Sequence, residues 1–314
     1  MANSKKENNQ DLGLDRSGQK NRQRVINEDG TYNMEKVGGQ LIGNRNFYHW
    51  IITTTWKKYL FTVLGFYTIM NIIFATGYYL IGVDELNGMQ GETQFNQWLY
   101  CFFFSAQSFT TVGYGGISPI GEAANFLAVS EALVGLMTFA LATGTLFGRF
   151  SKPISKIRYS KNFIINKYQN GLGLQFMVAN ELRSNLLELE AKVNISWLET
   201  DANNNSIRKF DQLELEIDKI AMFPTSWTIN HPITEGSILY GKTYEEIKNL
   251  DIEVFVLIKG FDDAFSQTIY SRYSYMYPEL IWGAKFKRPF YYNENGKIIM
   301  DLNKVGEWEK VDLP

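Results

Sequence analysis

The feature that most narrows the folds open to this chain is a gap in its charge pattern: no Lys or Arg occurs from Tyr59 to Gly148, while both flanks are rich in them. Two long apolar runs lie inside the gap. Leu60–Gly82 carries no charge and would extend about 34 Å as a helix, enough to cross a hydrocarbon core of about 30 Å. Asn125–Phe147 is the second run, with Glu131 as its one ionisable residue. Tyr78 and Tyr79 suit an outer aromatic belt and Trp56 an inner one. Arg149, Lys152, Lys156, Arg158 and Lys161 follow the second run, and Lys57 and Lys58 precede the first. By the positive-inside rule the chain is a multi-pass protein of a cell inner membrane or plasma membrane, with both termini cytoplasmic.

Between the runs, Asp84–Asn96 is polar and acidic, as an outer loop can be. Gln97–Phe109 is aromatic and too short to span, which fits a re-entrant helix buried in protein or lining a water-filled path. Its carboxyl end would aim a partial negative charge along that path and favour cations. Thr111-Val112-Gly113-Tyr114-Gly115 follows directly. With no Cβ, Gly113 and Gly115 can take backbone angles closed to other residues, so successive carbonyls can point the same way instead of alternating as in a strand. Thr111 can add a hydroxyl oxygen, and Tyr114 can brace the loop from behind through its ring and phenol. Such carbonyl rows replace the water shell of potassium, here at Thr111, Val112, Gly113 and Tyr114. Five residues alone would also allow a glycine-containing turn in a soluble protein; the flanking apolar runs argue against it. One loop supplies a fraction of a carbonyl ring, so a homotetramer is required.

In the second run Gly135, Ala140, Ala142 and Gly144 are small enough for close helix contact or a bend. Glu131 is expected behind the filter, bonded to the re-entrant helix, because carboxylates at membrane depth are paired or functional. Residues 1–44 are polar and read as a mobile tail, with no apolar core to mark a cleaved signal peptide. Residues 45–58 read either as a helix lying along the inner membrane surface or as a plain juxtamembrane helix. The pore domain then covers 59–150, with spans at about 60–82 and 125–147, a pore helix at about 97–109 and the filter at 111–115, and a cytoplasmic domain covers 151–314. From Gly171 onward the pattern is β: Leu187, Leu189, Ala191, Val193, Ile195 and Trp197 alternate with polar residues, and many short strands suggest a sandwich. Thr243 with Glu246 reads as a capping box.

A formal net charge of -2 gives no hint of nucleic acid. The single cysteine, Cys101, excludes an intrachain disulfide and, with only two histidines, argues against a Cys/His metal cluster. No Ser/His/Asp or carboxylate constellation marks an enzyme, and no cofactor is expected beyond potassium as the permeant ion. Two other readings remain. A two-span channel gated by a nucleotide- or calcium-sensing domain would need a glycine-rich strand–helix turn, and Gly171-Leu172-Gly173 lacks the third glycine. A membrane-anchored binding module would have no use for a filter.

The chain resembles the prokaryotic (KirBac) group of inward-rectifier potassium channels from about Asn46 to about Phe286. Tyr48-His49 with Trp56, FFFSAQSFTTVGYG, GRFSKP, the stretch Trp227 to Ile233, then Glu235, Ser237, Leu239 and Gly241, and Ile281-Trp282-Gly283 carry the likeness. The resemblance implies an immunoglobulin-like cytoplasmic β-sandwich that assembles fourfold and extends the ion path. It implies that Gly135 is the inner-helix hinge and Phe147 the bulky residue of the gate. Asp262–Gln267 resembles a second, cytoplasmic constriction, and Glu188 and Asp263 fall where strong rectifiers carry acidic pore residues; a solvated strand edge is the other reading of both. Lys57, Lys58, Arg149, Lys152 and Lys156 resemble the family's basic site for anionic phospholipid, and small-molecule or cation blockers are expected partners. Thr138 stands where strong rectifiers have a cavity acid, which implies weak block by magnesium or polyamines. Gln107 and Ile117 replace the charged pair that braces the filter in animal members, and Gly116 replaces an acid that often follows the filter.

Overall fold

The computed structural model describes residues 24–35, 37, 44–90, 93–151, 156–182, 185–200 and 206–313. They form two units, one from residues 38–152 and one from 153–314 together with the amino-terminal segment.

The first unit is helical. A short helix α1 (Asn44–Thr53) leads into α2 (Trp56–Ile81), strand β1 (Leu86–Asn87), α3 (Gln94–Phe109), strand β2 (Ser118–Pro119) and α4 (Glu122–Phe150). Helices α2 and α4 are both long and apolar enough to cross a membrane. The chain breaks between α1 and α2 at Thr54 and Thr55, where Thr55 is extended (φ -64°, ψ 154°), so Trp56, Lys57 and Lys58 open α2 instead of closing the short helix. The re-entrant helix begins at Gln94, three residues before the expected Gln97, because the Thr93 hydroxyl accepts the Asn96 amide and caps it. Helix α4 starts early as well: the Glu85 carboxylate accepts the Ala124 amide at its first turn. The core of this unit is aromatic. Tyr78 of α2 meets Phe104 of α3 edge-on at 4.9 Å, and Tyr67 meets Phe109 at 5.7 Å.

Among its described residues the second unit is built mainly of β-strands, with one short helix and two single 3-10 turns. One sheet runs β12 (Leu280–Trp282), β4 (Phe163–Tyr168), β5 (Gly171–Asn180) and β3 (Ile157–Tyr159), with β9 (Ser226–Ile233) also paired to β5. The other runs β11 (Gln267–Met276), β10 (Glu253–Asp262), β6 (Leu186–Thr200) and β7 (Ser206–Leu213), with β8 (Lys219–Met222) also on β6. Phe163, Phe176 and Ile229 from the first sheet share one apolar core with Val193, Val256 and Tyr275 from the second. That is a β-sandwich: each sheet turns alternate residues inward. Helix α5 (Tyr244–Asn249) opens on a capping box between Thr243 and Glu246. Two further antiparallel pairs follow, β13 (Ala284–Phe286) with β16 (Trp308–Lys310) and, between them in the chain, β14 (Phe290–Tyr292) with β15 (Ile298–Met300).

Strand β6 departs from simple alternation. Glu188 sits at φ 49°, opposite a register shift between Lys259 and Phe261 of β10, so the strand bulges there. The inward face therefore changes phase: Leu186 is buried on one side of the bulge and Leu189 on the other, while Leu187 is only half-buried.

Part of the amino tail expected to be mobile is held in the β unit. The Arg24 guanidinium donates to Glu279 at 2.7 Å and to the Ser274 carbonyl at 2.7 Å, the Val25 amide donates to Glu253, and the Ser274 hydroxyl donates to the Ile26 carbonyl. Ile26 is buried. A polar composition hid one apolar residue and one arginine with buried partners, which is enough to dock a short turn.

Candidate functional site: the filter loop and its supports

Residues 110–117 join the carboxyl end of α3 to β2. Thr111, Gly113 and Gly115 have φ of 59°, 53° and 79°, while Val112 and Tyr114 between them do not take positive φ. Positive φ at every second residue takes the backbone out of the strand geometry, in which successive carbonyls point to opposite sides. Glycine adopts the left-handed state at little steric cost, but Thr111 does so under strain of about 1–3 kcal/mol. The loop is pinned at its base: the Val112 and Gly113 amides both donate to the Gln107 carbonyl, at 2.9 and 3.3 Å, and the Thr111 amide donates to Ser108 at 3.0 Å. These bonds satisfy carbonyls that the end of α3 would otherwise leave free.

Tyr114 is 81% exposed, so within one chain its ring braces nothing. Val112 is exposed too. The support comes from elsewhere, from residues on α2, α3 and α4. The Tyr78 hydroxyl donates to Glu131 at 2.6 Å, and the Ser105 hydroxyl of α3 donates to its other carboxylate oxygen. All three side chains are buried, so the carboxylate ties α2, α3 and α4 together behind the filter. Asn71 adds its amide, donated to the Tyr67 carbonyl within α2, and lies 3.0 Å from Ser105 Oγ.

Gly135 lies where α4 crosses the end of α3. A Cβ built on it would come within 2.2 Å of the Phe109 carbonyl oxygen, so the two helices approach closer there than any side chain permits. Thr138 is half-buried and its hydroxyl donates back to Val134, and it borders a largely apolar cleft of about 620 Å³ shared with Tyr67, Thr110 and Thr111. Phe147 is 73% exposed near the end of α4.

Lys57 and Lys58 are exposed on α2 and Lys156 is exposed ahead of β3; Lys152 lies outside the described residues. Arg149 departs from that picture. Its guanidinium donates to the carbonyls of Ile51 and Thr54 at 2.6 and 2.7 Å, so protein oxygens already occupy it. In the β unit, exposed Glu188 and Asp263 lie at the same end of one sheet, since the Asp263 amide donates to the Asn185 carbonyl. Asp262 turns inward and accepts the Ala264 amide, shaping the β10–β11 turn.

His231 of β9 is buried, with Nδ1 2.6 Å from the Glu214 carbonyl and Nε2 2.8 Å from Ser237 Oγ. A carbonyl can only accept, so Nδ1 carries the proton and Nε2 accepts from the serine. Burial holds the imidazole below its ordinary pKa, outweighing the Glu214 carbonyl and the Glu214 and Asp211 charges that act the other way. An unfolded chain binds the proton at higher pH than the folded one, so stability is present above the unfolded value of about 6.5 and falls as pH drops through it. Thermal melts of the full chain from pH 7.5 downward are expected to show this loss, and His231→Gln to flatten it; parallel curves for the two proteins would refute it.

Two helices long and apolar enough to cross a membrane, with a short helix and a loop of alternating positive φ between them, have the frame of a pore-forming channel subunit. Residues 51–152 match the model described as "Ion channel", and residues 157–314 match that of the "Inward rectifier potassium channel C-terminal domain". The chain is 31% identical over 285 residues to the inward rectifier potassium channel Kirbac3.1 of Paramagnetospirillum magnetotacticum, covering 90% of this chain and 95% of that one. It is also 25% identical over 221 residues to the ATP-sensitive inward rectifier potassium channel 12 of Gallus gallus, covering 67% of this chain and 51% of that one. The mouse channel of the same name gives 24% over 221 residues. The chain belongs to the inward-rectifier potassium channel family, on its prokaryotic side, and this is a family of channels, not enzymes.

Proposed function

We propose that four copies of this chain surround a common axis and pass potassium selectively through carbonyl rings contributed by Thr111, Val112, Gly113 and Tyr114. The observation that carries the reading is positive φ at the alternate positions Thr111, Gly113 and Gly115 of a loop pinned at its base to Gln107 and Ser108. Fourfold assembly supplies the remaining oxygens of each ring, and it gives the exposed Tyr114 a neighbour to pack on. The β-sandwich, of immunoglobulin-like type, continues the path on the cytoplasmic side, where both termini lie, with Glu188 and Asp263 facing it. Phe147 closes the inner end, since a ring of four phenylalanines can shut a pore by dewetting.

Rectification is weak, because Thr138 offers an uncharged hydroxyl where a carboxylate would hold magnesium. Lys57, Lys58, Lys152 and Lys156 attract anionic phospholipid, each cation contributing about 1 kcal/mol against such a surface. In liposomes the channel is expected to pass potassium and exclude sodium, to be blocked by barium, and to lose little potassium flux on addition of internal magnesium. Equal sodium and potassium flux would overturn the reading.

A further inference from the structure

Helix α4 opens without a cap of its own: its N-cap is Gly121, which has no side chain to accept the free amides of the first turn. Glu85, at the end of the single 3-10 turn Val83–Glu85, supplies acceptors from another segment. Its Oε2 accepts the Ala124 amide at 3.2 Å, and its main-chain carbonyl accepts the amides of Ile120 and Gly121 at 2.9 and 3.4 Å. A Cβ on Gly121 would come within 2.0 Å of the same carboxylate oxygen, so the glycine is the space through which Glu85 reaches the helix. The contact continues as the pair β1–β2, with Leu86 opposite Pro119 and Asn87 opposite Ser118. Leu86 joins Tyr78, Phe104 and Ala124 in the buried core. Gly88 then sits at φ 80°, and a Cβ there would come within 2.0 Å of the Gly116 carbonyl oxygen. Gly116 is the residue that follows the filter.

The filter loop is thus held at its two ends by different parts of the chain. The inner end is bonded to Gln107 and Ser108, and the outer end runs into a segment fixed by residues 85–88. Gly113 and Gly115 lie between, and glycine has more backbone freedom than any other residue. Carbonyl rows built on such a backbone keep their spacing only where both ends are fixed. We propose that Glu85 is a positioning residue for potassium selection, which together with the close approach of Gly88 to Gly116 sets the outer rows of the filter. This rests on the channel reading above. Glu85 acts here as a hydrogen-bond acceptor. The competing role is that of a mouth charge that gathers cations, and exposed Asp84 beside it would serve that role at least as well.

The test compares wild type, Glu85→Ala, Glu85→Gln, Asp84→Asn and Gly88→Ala in full-length channel reconstituted in liposomes. Potassium and sodium flux are measured on each, with hydrogen exchange of residues 111–124 as a readout that needs no conduction. Glu85→Ala is expected to lower the potassium-to-sodium flux ratio about tenfold, the value of one charge-assisted hydrogen bond, and to speed exchange at Ala124. Gly88→Ala, which drives Gly88 and Gly116 apart, is expected to lower the ratio while exchange at Ala124 stays as in wild type. Glu85→Gln keeps an oxygen for the Ala124 amide and is expected to restore the ratio, and Asp84→Asn is expected to match wild type. If Glu85→Gln and Asp84→Asn both lose potassium flux at an unchanged ratio, and high salt removes the difference from wild type, the role is one of charge and the proposal falls. Faster exchange in Glu85→Ala with a wild-type flux ratio also overturns it, since Glu85 is then a helix cap and nothing more. Should Glu85→Ala form no tetramer, Gly88→Ala decides, and a wild-type ratio there overturns the proposal. A wild-type protein that passes sodium as freely as potassium would instead defeat the channel reading, and hydrogen exchange would still show whether Glu85 holds the segment after the filter.

Discussion

Gly135→Ala is expected to cost the channel its potassium selectivity and at least about tenfold of its flux, since overpacking costs about 1–3 kcal/mol per site and the site recurs in every subunit. The added methyl would sit 2.2 Å from the Phe109 carbonyl oxygen and 3.0 Å from its carbon, contacts with backbone that no rotamer change relieves. Either α4 moves out or the end of α3 moves in, and Thr111 begins two residues beyond Phe109. Gly144→Ala is the control: nothing of the same chain lies within 4 Å of its Cβ position, so it leaves α3 in place and should keep wild-type selectivity. A hinge role for Gly135 makes a different prediction, in which alanine stiffens α4 and slows opening while selectivity survives. Sodium and potassium flux measured side by side separate the two. Wild-type selectivity in Gly135→Ala would leave only the hinge.

Glu131→Leu is expected to abolish the potassium-stabilised tetramer on a gel. Its carboxylate accepts from Tyr78 and Ser105, and leucine would strand the buried Tyr78 hydroxyl at about 1–3 kcal/mol per chain and leave Ser105 only Asn71 as acceptor, untying α3 from α4. Glu131→Gln keeps the shape and one acceptor oxygen, and its amide nitrogen can donate to the other hydroxyl, so the tetramer should survive. Equal behaviour of leucine and glutamine would mean that these bonds contribute little to the support of the filter.

Much of the fold was legible because its determinants are local. The apolar runs of α2 and α4, the short aromatic helix before the filter and the glycines at alternate filter positions each follow from the properties of residues a few places apart. The capping box at Thr243 and Glu246 is equally local. The alternation in β6 was visible too, but its change of phase at Glu188 was not, because the bulge answers the register of β10, which lies some way along the chain. For the same reason the docking of Arg24 and Ile26 was hidden, since Glu279 and Ser274 are their partners.

The division is clearest among the residues that support the pore. Sequence alone determined that the chain crosses a membrane twice, that a loop of alternating glycines lies between the crossings, and that a lone carboxylate in the second crossing needs a partner. Only the tertiary structure decided that Tyr78 and Ser105 are those partners and that Gly135 is small because Phe109 passes against it. It also decided that the two Nη groups of Arg149 donate to the carbonyls of Ile51, Ile52 and Thr54. Hydrophobic period and backbone preference are properties of neighbours along the chain, whereas a close approach or a shared hydrogen bond belongs to two segments that meet only after each has folded.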